Sequence, residues 1–274
     1  MVADRQGLVR RGEQLTARGR LLAGTSGFAY RAWIGEFYPP GTRSDGMLGY
    51  YADRFGAVEV NATFYRLPTA ATLDQWIERT PAGFVFTFKA PRRITHHARL
   101  VDVGETLEVF IKRLSRLGDR LGPILFQCPP NLGCDLERLE SFLRLLPPGD
   151  FAMEFRHDSW ENAEVRDLLA RSGVALCISD RDGVPARRVD RAESDRFVYL
   201  RLRRSDYSPA ELTGWAGQLK SVLDAGADVY AFLKHEDTAA GTRWAEELRR
   251  ALSAPGWPSS QTGGEVGAGT SDQP

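Results

Sequence analysis

The stretch Ala57-Val58-Glu59-Val60-Asn61-Ala62-Thr63-Phe64 decides the fold. Apolar and polar residues alternate along it, and the period of two that defines a strand sends Glu59, Asn61 and Thr63 to one face and Val58, Val60 and Ala62 to the other. A strand over Ala57–Phe64 is predicted. Seven further short runs, β-branched or aromatic and bounded by turn residues, read the same way: Leu21–Gly24, Phe84–Ala90, Pro123–Gln127, Phe151–Phe155, Val174–Ser179, Phe197–Arg203 and Asp228–Lys234. Helical periodicity fills the intervals at Met47–Phe55, Ala70–Arg79, Glu105–Leu121, Leu136–Leu145, Ala163–Arg171, Pro209–Asp224 and Arg243–Leu252, and only Arg181–Asp195 reads as loop. Continuous apolar strands separated by helices imply a parallel sheet covered on both faces, and eight of them favour closure. The expected fold class is therefore α/β, a single parallel (β/α)8 TIM-type barrel.

A chain of 274 residues suits one such barrel, and 42% hydrophobic residues are enough for a large core. The 36 basic and 36 acidic residues cancel. That balance removes the global basic footprint of a protein held mainly by phosphate contacts, leaving only local basic patches. Cys128, Cys134 and Cys177 are odd in number and form no CxxC pair, which supports neither a disulfide framework nor a zinc knuckle and fits a reducing compartment. No apolar stretch approaches the ~20 residues of a membrane span, and the first twenty residues hold no signal-like apolar core. A cytoplasmic protein with no membrane partner is expected. Residues 1–20, rich in arginine, are expected to form a disordered arm, 21–252 the barrel, and 253–274, rich in Gly, Ser and Pro, a disordered tail.

Several blocks carry a resemblance. Gly24-Thr25-Ser26-Gly27-Phe28, Phe37-Tyr38-Pro39, Val58-Glu59-Val60-Asn61-Ala62-Thr63-Phe64-Tyr65, Phe88-Lys89-Ala90-Pro91, Ile94-Thr95-His96, Leu125-Phe126-Gln127-Cys128-Pro129-Pro130 and Glu154-Phe155-Arg156-His157-Asp158-Ser159-Trp160 follow one another in order. They resemble the DUF72 (YecE-like) family over roughly residues 21 to 252. The resemblance implies a TIM-type barrel and, the family's activity being unestablished, no reaction. Two strand endings depart from the family pattern. Arg201-Leu202-Arg203-Arg204 stands where many members read Arg-Leu-His-Gly, and Phe232-Leu233-Lys234-His235-Glu236 where Phe-x-Asn-Asn is usual. Both departures add basic charge.

Strand C-termini converge on one rim of a parallel barrel, so their polar residues should build one pocket. Parity with Glu59, Asn61 and Thr63 selects Lys89, Gln127, Glu154 with Arg156, Arg201 with Arg203, and Lys234 with Glu236 as lumen-facing, and Asp180 follows the sixth strand. Buried charges cost several kcal/mol each unless paired, so so many cannot be passive filler. Glu59, Glu154, Lys89 and His157 are the candidate catalytic residues. Candidate ligand-binding residues are Ser26, Asn61, Thr63, Tyr65, Gln127, Arg156, Asp180, Arg201, Arg203 and Lys234. Each also has a structural reading: the glutamates as neutralising partners of Lys89, Arg156 or Arg201, Gln127 and Asn61 as partners of backbone groups, Thr25-Ser26-Gly27 as a simple turn, and His157 as a strand-end residue.

Four histidines with no HxH or HExxH spacing do not support a multinuclear zinc site. A single hard divalent ion on Glu59, Glu154, Asp180 or Glu236 stays open. Neither GxGxxG after a strand nor GxxxxGK[ST] occurs, so no nucleotide cofactor is identified. A Schiff base on Lys89 or Lys234 needs a lowered pKa that adjacent carboxylates oppose. The leading expectation is a hydrolase or isomerase acting on a small anionic or sugar-like ligand, Glu59 and Glu154 sharing acid/base work and Arg156, Arg201 and Arg203 clamping the anion. The alternatives are a nucleic-acid-binding or repair protein using Arg92, Arg93, Arg203, Arg204 and the arginine-rich N-terminus, and a non-catalytic ligand-binding barrel.

Overall fold

The structure, a computed structural model, describes residues 18–184, 188–189, 196–234 and 238–253. Nearly all of the expected arm and tail, part of the 181–195 loop, and His235 with Glu236 lie outside them. Chain order is β1 (Leu21–Thr25), α1 (Ser44–Ala52), β2 (Ala57–Val60), α2 (Ala70–Glu78), β3 (Val85–Lys89), α3 (Gly104–Leu114), β4 (Leu121–Gln127), α4 (Leu136–Leu143), β5 (Phe151–Glu154), α5 (Ala163–Arg171), β6 (Ala175–Leu176), β7 (Ile178–Asp180), β8 (Phe197–Leu202), α6 (Pro209–Asp224), β9 (Asp228–Leu233) and α7 (Ala240–Leu252). The helices start where short polar side chains cap them: Thr69, Asp135, Asn162 and Ser208 each accept from the backbone three residues on.

The expected α/β fold with parallel strands is present, in two sheets ordered β1-β9-β8-β7 and β2-β3-β4-β5-β6. The sixth expected strand is split at Cys177 into β6, which pairs with β5, and β7, which pairs with β8, so it passes from one sheet to the other. Eight strand positions result. At the other junction β1 and β2 are neighbours but share no ladder, so the expected closure is not made by strand pairing there. The Tyr51 hydroxyl fills that seam, accepting the Thr25 N–H at 2.7 Å and donating to the Ala57 carbonyl at 3.2 Å. Gly24 permits the approach, since a Cβ there would lie 2.1 Å from the Ala57 oxygen.

Strand parity divides the core in two. One set of alternating residues, including Leu22, Ala57, Val85, Leu125, Ala152, Cys177, Phe197 and Phe232, packs together inside the ring of strands. The complementary set, including Ala23, Val58, Phe86, Phe126, Met153 and Leu200, packs against the helices. Charged residues of the first parity therefore meet one another inside the ring.

Two boundaries differ from expectation near the site. β2 stops at Val60: Asn61 takes helical angles (φ −87°, ψ −18°) and Ala62–Phe64 form a 3-10 turn, which removes Asn61 and Thr63 from the strand face of Glu59. The helix expected to reach Leu121 ends at Leu114, followed by a kinked 3-10 segment with Gly118 at φ 55°, and Leu121 opens β4. No helix among the described residues is long and apolar enough to cross a membrane.

Candidate functional site

Inside the ring, above the apolar layer, the Thr87 and Tyr199 hydroxyls lie 3.2 Å apart. Tyr199 donates to Glu59 Oε2 at 2.7 Å. Arg201, two residues further along β8, points the same way and joins two carboxylates, reaching Glu59 Oε1 through Nη2 at 2.8 Å and Glu154 Oε2 through Nη1 at 2.5 Å. Gln127 Nε2 and Arg156 Nε both donate to the remaining Glu154 oxygen, at 3.2 and 3.3 Å. Glu59, Glu154, Arg201 and Gln127 are all buried. Strands β2, β4, β5 and β8 thus meet in one charged layer.

The layer sets its own ionisation. Burial alone would raise the Glu59 carboxyl, but Arg201 and Arg203 outweigh it and hold Glu59 below the ordinary carboxylate range. Burial acts on Glu154 in the same sense, and Arg201 and Arg156 bring it down to about 2. Arg201 is in turn held charged by both carboxylates against its own desolvation. Both glutamates are therefore anions at neutral pH, structural partners of Arg201 rather than ready proton donors.

At the mouth the cations are half-buried. Lys89 Nζ stands 4.0 Å from the centroid of the Phe64 ring. Burial, with the Arg201 charge next, lowers the Lys89 ammonium to about 8 despite Glu154 and Glu59. His96 meets the same Phe64 ring edge-on at 4.8 Å, and its Nδ1 lies 2.8 Å from the Thr95 hydroxyl. Burial and then Lys89 lower this imidazole, favouring its neutral form. Arg203 donates to the Ser26 hydroxyl at 2.9 Å and its charge helps lower the Glu59 carboxyl, so the first strand's turn borders the network. Lys234, just after β9, is half-buried. Three buried polar atoms at the lumen end of the strands have no hydrogen-bond partner: Arg201 Nε, Ser179 Oγ and Asn61 Oδ1.

The structure thus brings together Glu59, Glu154, Lys89, Gln127, Arg156, Arg201, Arg203 and Ser26. Asn61 borders them through its amide, 3.4 Å from the Ser26 carbonyl. Thr63 is a buried brace instead, its hydroxyl within reach of the Val60 and Lys89 carbonyls at 3.0 and 2.7 Å. Tyr65 is 73% exposed, with the Arg92 guanidinium 5.6 Å from its ring. His157 is exposed and caps a short 3-10 turn by accepting from the Ser159 amide. Asp180 has the parity of Ile178, which packs on the helix side, so it faces away from the lumen. Burial raises its carboxyl, with Tyr207 acting in the opposite sense. It lines a cavity of about 590 Å³ with Arg181, Asp182, Arg204, Glu211 and Trp215, to which Glu59, Glu154, Lys89 and Arg201 do not contribute. Tyr199, Thr87 and His96 complete the lumen layer and its mouth; strand parity with Arg201 and Lys89 was the available signal for the first two.

Among the described residues no three His, Cys, Asp or Glu side chains converge as a metal-binding set. The Arg201 guanidinium lies between Glu59 and Glu154, where a bridging cation would otherwise sit. Burial raises both the Cys128 thiol, to about 12, and the Cys177 thiol.

Residues 22–263 match a family described as a protein of unknown function, DUF72. The chain belongs to the DUF72 family. Similar proteins are the UPF0759 protein YecE of Escherichia coli strain K12, 35% identical over 149 residues (52% of this chain, 54% of that one), and the UPF0759 protein YunF of Bacillus subtilis, 34% identical over 135 residues (46% and 48%). The chain spans about half the length of these curated relatives. A solved DUF72 family protein from Thermotoga maritima superposes with a TM-score of 0.75 at 26% identity, covering 85% of this chain and 99% of that one. A second DUF72 structure, from Enterococcus faecalis, has a TM-score of 0.73 at 16% identity (92% and 99%), a likeness of fold.

Proposed function

We propose that this DUF72 protein is an enzyme acting on a small anionic or sugar-like ligand, phosphorylated or carboxylated, at the C-terminal rim of its strands. One observation carries the reading: among the described residues, Arg156, Arg201, Arg203 and Lys89 surround the two carboxylates Glu59 and Glu154, an excess of positive charge at the mouth of the lumen. An anionic group bound there meets planar guanidinium donors. The acid/base work expected of Glu59 and Glu154 passes in this reading to Lys89, because carboxylates held ionised are poor proton donors near neutrality, whereas a group titrating near 8 can donate and accept. The glutamates fix Arg201 and tune Lys89. A thermal-shift screen with inorganic phosphate, a sugar phosphate and its parent sugar tests this. Stabilisation by the anions and not by the parent sugar supports it, and the reverse order rejects it.

Nucleic-acid binding is the second reading, favoured by one feature: exposed Tyr65 beside Arg92 offers a face on which a base could stack next to a phosphate contact. Fluorescence anisotropy with a labelled single-stranded oligonucleotide separates the two, since Tyr65→Ala weakens that interaction only if the ring is the platform.

A further inference from the structure

Of the 36 lysine and arginine residues only four are lysines: Lys89, Lys112, Lys220 and Lys234. Apart from Lys234, the other cations around the lumen are arginines, Arg156 and Arg203 at its mouth and buried Arg201 beneath them. A guanidinium binds anions at least as well as an ammonium and stays charged, so what sets Lys89 apart from its neighbours is that it can shed a proton and act as a nucleophile. Its surroundings favour this. Arg201 engages Glu59 and Glu154, Arg156 engages Glu154 as well, and the Arg203 charge, held on Ser26, lowers Glu59, so three guanidinium groups stand against two carboxylates before Lys89 adds a charge. The carboxylates that argue against a neutral lysine in the sequence are thus already committed elsewhere. Phe64 covers one side of Nζ, and His96 sits at the edge of the same ring with Nδ1 against the Thr95 hydroxyl, leaving Nε2 as the position for proton exchange.

We propose that Lys89 forms an imine with a small aldehyde or ketone that carries an anionic group, the anion being received by Arg156 and Arg203. The proposal rests on the anion-binding reading above and names its substrate class. The neutral Nζ attacks the carbonyl carbon, a C–N bond forms, and the C=O π pair moves to oxygen, which takes up the proton that nitrogen gives up. A second proton, delivered through His96, lets the hydroxyl leave as water while the nitrogen pair closes the C=N bond. The sum is amine, carbonyl and one proton in, iminium and water out, with no oxidant or reductant.

The test incubates the full chain near pH 8, where Lys89 is about half neutral, with glyoxylate or pyruvate or with the neutral glycolaldehyde or hydroxyacetone. Cyanoborohydride traps imines, and peptide mass spectrometry maps them onto the four lysines. The expected result is a reduced glyoxylate adduct at Lys89 forming about tenfold faster than the glycolaldehyde adduct, the size of effect one charge-assisted hydrogen bond supplies, and faster than any adduct at Lys112 or Lys220. Lys89→Arg should lose the adduct while keeping its circular dichroism spectrum. Adducts spread over the lysines without preference for Lys89 overturn the imine; glyoxylate still raising the melting temperature of Lys89→Arg would then show that anion binding stands without it. Equal labelling of Lys89 by charged and neutral carbonyls overturns the proposal by removing its anionic substrate class, and locates the failure in the anion-binding reading.

Discussion

Arg201 and Glu59 meet at 2.8 Å across the lumen with only 1% and 0% of their side chains exposed. The other end of the same guanidinium holds Glu154, so one residue of β8 fixes the ends of β2 and β5. Removing one partner from such a group leaves uncompensated charge in a poorly solvated place, and that penalty exceeds what the pair itself contributes. The network therefore sets the site's shape before any ligand arrives.

Replacing Arg201 with Met is accordingly expected to destabilise the fold by about 3–5 kcal/mol, the cost of breaking a buried ion pair. Urea unfolding at neutral pH measures it. A loss below about 1 kcal/mol, the range of a surface pair, would mean that Glu59 and Glu154 are solvated or neutral instead.

Acid should act through Glu154. Its folded-state pKa of about 2 lies below the 4.5 of an ordinary glutamate, so its stabilising contribution is complete above the unfolded value and disappears as pH falls from about 4.5 toward 2. A shift of that size corresponds to stability on the order of 3 kcal/mol. Glu154→Gln should flatten the acid limb of the stability profile between about pH 4.5 and 2, the window just derived. An unchanged limb would place the acid-sensitive group elsewhere.

Tyr51→Phe tests the seam between β1 and β2. Without the hydroxyl, the Thr25 amide and the Ala57 carbonyl lose a shared partner in a buried place, at a cost of about 1–3 kcal/mol. Amide exchange at Thr25 should accelerate by the corresponding factor while exchange within β8 does not. Equal protection in wild type and variant would show that the strands pair directly.

The order of elements was legible because strand and helix residues follow different periods, and the lumen face because Glu59, Lys89, Gln127, Glu154 and Arg201 keep the parity of the strand to which each belongs. Parity fails where the strand does. Asn61 and Thr63 follow Val60 into a 3-10 turn held by Ser26 and Lys89, contacts that local alternation cannot foresee. Asp180 could have been placed from Ile178, two residues earlier, which belongs to the helix side. The role of Tyr51 was hidden because it is a helix residue whose hydroxyl matters only once β1 and β2 stand side by side. The depressed Lys89 was hidden for a similar reason: the sequence shows two nearby glutamates but not that Arg201 holds both. Tyr199 reads as apolar filler of β8 until its hydroxyl is seen on Glu59.

In the proposed function, cations at the mouth of the lumen bind an anionic ligand, and the basic strand endings of this chain strengthen that preference. Isothermal titration of a sugar phosphate and of its neutral parent sugar, into wild type and into Arg203→His with Lys234→Asn, measures it directly. Wild type is expected to bind the phosphate form more tightly and the double variant to lose about tenfold or more of that affinity, since hydrogen bonds to charged groups contribute about 1.5–3 kcal/mol each, with little change for the neutral sugar. Equal affinities for the two ligands in both proteins would contradict it and leave the arginines as structural partners of Glu59 and Glu154.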